Sequence, residues 1–235
     1  MKVFVGLLKM IFLVVWSMLT IIGSMLLTYI TFDRSIAIDC GRKIWAPVLL
    51  WVFGVKLDVK GLEKISKNDT FILMSNHSSY LDIPILFAIM PFNLYFVAKK
   101  ELGKVPFLGF YLRRVEMILI DRENTSAAKK SMDEAGESIR GGKTVVIFPE
   151  GTSKGGATIG SFKKGGFHLA QAARVPILPV RITGTNEIWP NPTKPKINKG
   201  VVQVVIGDPI DPVLETKEDI SKAAIETKEL IEELN

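Results

Sequence analysis

From Met10 to Phe32 the chain carries no charged side chain, and this run of 23 residues constrains its fold more than any other feature. Coiled as an α-helix it is about 35 Å long, enough to cover the ~30 Å hydrocarbon core of a bilayer. Lys2 and Lys9 lie before it, Asp33 and Arg34 after it. A cleaved secretory leader has a shorter apolar core, roughly 7–15 residues, although Ser35-Ile36-Ala37 loosely fits a cleavage site. A single-pass anchor fits the length. A third disposition uses the second apolar stretch, IWAPVLLWVFGV at 44–55, which is too short to span and carries Trp45 and Trp51. Indole rings favour the membrane interface. Between the two runs stand Asp33, Arg34, Asp39, Arg42 and Lys43, which prefer water or headgroups. The pattern favours a helical pair that dips into one leaflet and keeps both ends on one side, with a single span as the near alternative. Positive charge flanks the first run on both sides, so it does not set an orientation.

The length, 235 residues, suits one α/β domain plus an appendage. Cys40 is the only cysteine, so no intrachain disulfide can form. With histidines only at 77 and 168, no zinc pattern arises, and neither metal nor cofactor is expected. The formal net charge of +6 suits an anionic partner: nucleic acid, an anionic membrane surface or a phosphorylated substrate. No nucleic-acid motif and no basic stripe with interleaved aromatics is present, so nucleic acid is not expected as a partner. The apolar N-terminus favours the membrane.

From about residue 56 the pattern changes. Strands are predicted at 56–60, 70–75, 94–98, 117–121, 144–148, 177–183 and 201–206, and helices at 83–90, 103–112, 126–140, 164–173 and 217–234. Continuous apolar strands such as FILM (71–74) and VVIF (145–148) suit a sheet buried on both faces. The alternation predicts an α/β fold, a mostly parallel sheet covered by helices, with an N-terminal membrane-embedded helical pair. The division is a membrane-anchoring region, 1–55, ahead of an α/β domain, 56–235. In open α/β sheets, chemistry gathers at the carboxyl ends of the strands. Here those ends lead into NHSSYLD, KKELGKVP, Arg122 and PEGTSKGG, so a histidine–carboxylate pair, several cations and a glycine-rich turn converge on one rim.

The pair is His77 and Asp82, five residues apart in SNHSSYLDIP. A neutral imidazole is a good general base near pH 7 if one nitrogen is held and the other left free. A carboxylate on the same loop can hold it, as in a triad that lacks its serine. Asp82, followed by Ile83 and Pro84, also reads as a helix N-cap. The combination with Asn76 and the strand-end position favours a functional histidine.

These residues carry a resemblance. NHSSYLD resembles the N-H-x4-D motif of the glycerolipid acyltransferases, in particular the bacterial 1-acylglycerol-3-phosphate acyltransferases. KKELGKVPFLGF (99–110) with ILIDR (118–122) resembles their second block and VVIFPEGTSKGG (145–156) their third. FKKGGFHLA (162–170) and VPILPVRITGT (175–185) resemble the segments that close the domain. The family's arginine after E-G-T is Ser153 here, followed by Lys154. Lys154 could replace it only as a point charge, without the bidentate fork. Lys99, Lys100 and Arg122 could share phosphate recognition.

The resemblance implies transfer of a fatty acyl group from acyl-CoA or acyl-carrier protein to the 2-hydroxyl of lysophosphatidate, giving phosphatidate for phospholipid synthesis. His77 would be the general base, oriented by Asp82, with no acyl-enzyme. Backbone N–H groups near Gly151 or in the 99–102 turn would hold the oxyanion. Glu150 shapes its turn or contacts substrate, with Gly151 and Thr152 beside it. The catalytic domain would sit at the cytoplasmic face of the cell membrane. Two rivals remain. Gly151-Thr152-Ser153-Lys154-Gly155 matches G-x-S-x-G, which would make Ser153 the nucleophile of a membrane lipase, although the chain order of acid and histidine does not fit that fold. The other rival is a non-catalytic lipid-binding protein.

Overall fold

The computed structural model describes residues 2–121, 125–153, 158–191 and 193–235. The first apolar run is one helix, α1 (Lys2–Thr31). After a short break the chain re-enters helix as α2 (Ser35–Cys40), a π-helical turn (Gly41–Trp45) and α3 (Ala46–Phe53). Pro47, which has no amide hydrogen, stands where the ladder returns from the wider turn to α3. Gly54, left-handed at φ 75°, ends α3 and turns the chain into the sheet.

Seven strands follow: β1 (Val55–Lys60), β2 (Ile72–Ser75), β3 (Leu94–Lys99), β4 (Ile118–Ile120), β5 (Thr144–Ile147), β6 (Ile177–Thr183) and β7 (Gly200–Ile206). Their spatial order is β1-β7-β6-β2-β5-β3-β4. β6, β2, β5, β3 and β4 run parallel. β7 is antiparallel to β6, and β1 pairs parallel with β7, so the reversed strands form one edge. The remaining helices are α4 (Asp82–Ile89), α5 (Leu108–Arg114), α6 (Thr125–Arg140), α7 (Gly165–Ala173), α8 (Thr185–Ile188) and α9 (Lys217–Glu233). The fold is the mostly parallel, helix-covered sheet that the strand pattern predicts.

FILM and VVIF split between two cores because strand side chains alternate. Phe71, Leu73 and Val146 face a core that α2, α3 and α4 cover. Ile72, Met74, Val145 and Ile147 face a second core, covered by α6, α7 and α9. The second apolar run is therefore largely core: Ala46, Leu49, Leu50 and Phe53 are buried, while Trp51 is exposed.

α1 lies along the domain rather than standing off it. Gly6 packs so closely that a methyl group there would meet the carbonyl oxygen of Pro195. Lys9 Nζ donates to Phe53 O at 3.0 Å, satisfying a carbonyl at the end of α3. Trp16 Nε1 donates to Trp45 O, and Trp45 Nε1 to Ser17 Oγ. The charges between the apolar runs pair on the domain side: Arg34 with Glu116, and Arg42 and Lys43 with Asp39.

Leu73 is fully buried at the centre of the sheet, so Leu73→Ala is expected to destabilise the domain by about 2–5 kcal/mol, read as a lowered urea midpoint in detergent.

Candidate active site

β2 ends at Ser75, and the next two residues set the site. Asn76 uses both ends of its carboxamide as a rung to β6: Nδ2 donates to Ile182 O, and Oδ1 accepts from Ile182 N–H, both at 2.8 Å. This pins the turn against the neighbouring strand. His77 follows, and its Nδ1 lies 2.8 Å from Asp82 Oδ2. The same oxygen accepts the backbone N–H groups of Ser78 at 2.8 Å and Ser79 at 2.9 Å. A carboxylate that is wholly buried needs such donors to offset its lost hydration. Nδ1 is the ring nitrogen engaged by Asp82, and Nε2 faces away from it.

Asp82 is not the cap of α4. Leu81 holds the cap position and Asp82 is the first helical residue. Its carboxylate reaches back to the loop amides, where an N-cap would reach forward into the helix. The Ser78 and Ser79 amides arrive first because the turn between 78 and 82 is tight, closed by Asp82 N–H donating to Ser79 O.

Glu150 anchors the other side. It is buried, with Oε1 accepting from His77 N–H and Oε2 from Gly160 N–H, both at 2.8 Å. Both oxygens are thus engaged by backbone, which matches the turn-shaping reading of this residue. The imidazole of His77 stacks on Phe148, with centroids 4.0 Å apart. Phe148 in turn meets Phe96, and Phe96 meets Phe87.

His77 lines one of two cavities and reaches the other only through the Phe148–Phe96 ring contacts. One, of about 240 Å³, is polar, lined by Asn76, His77, Glu150, Arg181, Thr183, Asn186 and Glu187. The other, of about 290 Å³, is apolar and lies between α1, α4, β3 and α5, lined by Ile21, Trp45, Ile83, Phe87, Phe96 and Leu112 among others. Tyr111 also borders it. Burial holds its phenol protonated far above the usual range, Cys40 adds in the same direction, and the hydroxyl donates to Ala37 O.

The other residues singled out in the sequence are placed less closely. Gly151, at φ 81°, donates its N–H to Phe148 O, so this amide closes a turn instead of awaiting an oxyanion. Thr152 is exposed beside it. Lys99 and Lys100 stand at the end of β3, across β5 from His77, and Lys100 pairs with Asp121. Arg122 and Lys154 lie outside the described residues. Ser153 follows the turn in irregular structure, and the next described helix starts only at Gly165, so the strand–turn–helix elbow of a serine hydrolase is not built here.

Sequence reasoning missed the roles of Phe148, Ser78, Ser79 and Lys163. Lys163 returns to the site because its N–H donates to Pro149 O. Its Nζ then overlies the turn: a methyl group on Gly151 would come within 2.9 Å of it. No local pattern in FKKGG signals this placement.

A family model described as Acyltransferase matches residues 56–183, more than half of the chain. The chain belongs to the acyltransferase family. Its fold is similar to that of the 1-acyl-sn-glycerophosphate (LPA) acyltransferase PlsC from Thermotoga maritima, with a TM-score of 0.80, 28 % identity and coverage of 99 % of this chain and 97 % of that one. A chloroplastic 1-acyl-sn-glycerol-3-phosphate acyltransferase of Brassica napus is 31 % identical over 72 % of this chain and 48 % of its own. One from Helicobacter pylori is 39 % identical over 54 % of this chain and 55 % of its own. The acyltransferase chain thus spans about half the length of the curated relatives it matches.

Removing the Glu150 carboxylate strips two amides of their acceptor. Glu150→Ala is expected to lower stability by about 2 kcal/mol or more, measured from denaturant midpoints.

Proposed function

We propose that this acyltransferase acylates the 2-hydroxyl of lysophosphatidate, using acyl-CoA or acyl-carrier protein as donor, with His77 as general base. The observation that carries the reading is the 2.8 Å bond from His77 Nδ1 to buried Asp82, which leaves Nε2 as base at the edge of the polar cavity. His77 Nε2 takes the hydroxyl proton as the oxygen attacks the thioester carbonyl. Asp82 stabilises the resulting imidazolium. Collapse of the tetrahedral intermediate breaks the C–S bond, and the imidazolium proton goes to the departing thiolate. No acyl-enzyme forms.

The polar cavity suits the glycerol phosphate, and the apolar one suits an acyl chain. The names of the relatives support the acceptor assignment. With serine in place of the family arginine at 153, we assign the phosphate to Lys163, whose amine overlies the Gly151 turn, aided by Lys99 and Lys100. The amides of the 99–102 turn are the backbone donors we assign to the oxyanion, because the Gly151 amide is engaged. Arg122 and Lys154 remain candidate phosphate contacts.

α1 is long and apolar enough to cross a bilayer. Its contacts at Gly6, Lys9 and Trp16 favour the other disposition, a helix lying in one leaflet beside the domain. A crossing helix held along its length would drag charged loops into hydrocarbon, at several kcal/mol per unsatisfied group. On this reading residues 1–55 are the membrane-anchoring region and 56–235 the catalytic domain, working on the cytoplasmic face where the donors are.

Acyl transfer from labelled acyl-CoA or acyl-carrier protein to lysophosphatidate in vesicles tests the reaction. His77→Ala is expected to abolish it and Asp82→Asn to lower kcat by about 10³-fold or more, with KM little changed. Phosphatidate formed undiminished by His77→Ala would overturn the mechanism. Lys163→Ala should act mainly on acceptor KM, raising it about tenfold, since an exposed charge–phosphate contact is worth about 1.4 kcal/mol; an unchanged KM removes Lys163 from phosphate binding.

A further inference from the structure

The connection from β3 into α5 carries side chains that neither core uses. Leu102 is 41 % exposed, Val105 43 %, Phe107 57 % and Phe110 57 %. Four large apolar groups within nine residues make a contiguous exposed patch, which marks an interaction surface rather than scattered exposure. Phe107 also has a positive φ of 59°, a conformation that a bulky residue rarely adopts. The backbone around it is held by bonds from Gly109 N–H to Val105 O and from Tyr111 N–H to Phe107 O. The ring is thus fixed outward at a cost in strain.

Cations surround the patch. Lys99, Lys100 and Lys104 are exposed, and Arg114 is half-buried. Among the described residues Lys100 pairs with Asp121, whereas Lys99, Lys104 and Arg114 have no ion-pair partner. The patch is continuous with α1: Ile22, Met25, Leu26 and Tyr29 face Phe107, Phe110 and Arg114 across a groove of about 490 Å³.

We propose that the β3–α5 connection is a second membrane-contact element, seated in the same leaflet as α1. Phe107, Phe110 and Val105 enter the hydrocarbon, and Lys104 and Arg114 hold the phosphates of anionic lipids at headgroup depth. The occupant is a bilayer because the apolar patch continues the exposed apolar face of α1 and its rim is cationic. This inference rests on the reading that α1 lies in one leaflet. A single helix leaves the domain free to roll about the helix axis. A second contact beside it fixes the roll, so the rim that carries His77 keeps a constant height above the lipid.

The test places an environment-sensitive fluorophore on Val105→Cys, and separately on Leu26→Cys in α1, in a full-length Cys40→Ala background. Each is mixed with phosphatidylcholine vesicles containing phosphatidylglycerol and quenched with lipids carrying nitroxides at known depth. Blue-shifted, quenched emission at both positions is the expected result. A shift at 26 with a water-like signal at 105 overturns the second contact and leaves α1 in the membrane. No shift at either position overturns the membrane disposition itself. A shift at 105 in detergent that grows with protein concentration, without vesicles, points to a second copy on this surface and also overturns the proposal. Lys104→Gln should weaken binding to phosphatidylglycerol vesicles about fivefold and leave phosphatidylcholine binding unchanged, since one basic residue near an anionic surface contributes about 1 kcal/mol; equal loss or no loss on both removes the headgroup contact.

Discussion

A single buried oxygen organises the loop that carries His77. Asp82 Oδ2 receives the imidazole of His77 and the amides of Ser78 and Ser79. Without these contacts the buried carboxylate would lose its hydration uncompensated, and the loop would lose the acceptor that folds it back on itself. Asp82 also opens α4, where the helix dipole favours negative charge. The carboxylate that orients the His77 imidazole is the one that shapes the loop. The geometry of the histidine and local folding therefore stand or fall together.

The neighbouring strands hold this loop from outside. Asn76 ties its start to β6, and Glu150 ties its backbone to the turn after β5. Phe148 supplies a flat apolar surface against the imidazole. The three come from the carboxyl ends of β2 and β5, adjacent strands in the sheet. Parallel pairing brings such ends to one rim without any further device.

The apolar cavity is walled partly by α1, so the helix that exposes apolar side chains on its outer side lines an apolar space on its inner side. The buried second run makes this possible. α2 and α3 act as a spacer, packed on the sheet beneath and on α1 above.

By itself the sequence determined the seven strands, their burial on two faces, the helical N-terminus and the His77–Asp82 pair. These are local matters: alternation along FILM and VVIF, an uncharged run of helical length, and two side chains five residues apart on one loop. It left open whether Asp82 is also a helix cap, because a cap and a backward-reaching carboxylate share the same local pattern. It could not assign the burial of 44–55, since a core helix and an interfacial one have the same composition. Nor could it bring Lys163 over Gly151 or lay α1 along the domain. Those placements depend on contacts such as Gly6 with Pro195 and Lys163 with Pro149, between residues far apart in the chain or joined by a returning loop. Only tertiary packing, which selects among locally equivalent arrangements by what they bury and which polar groups they satisfy, decided them.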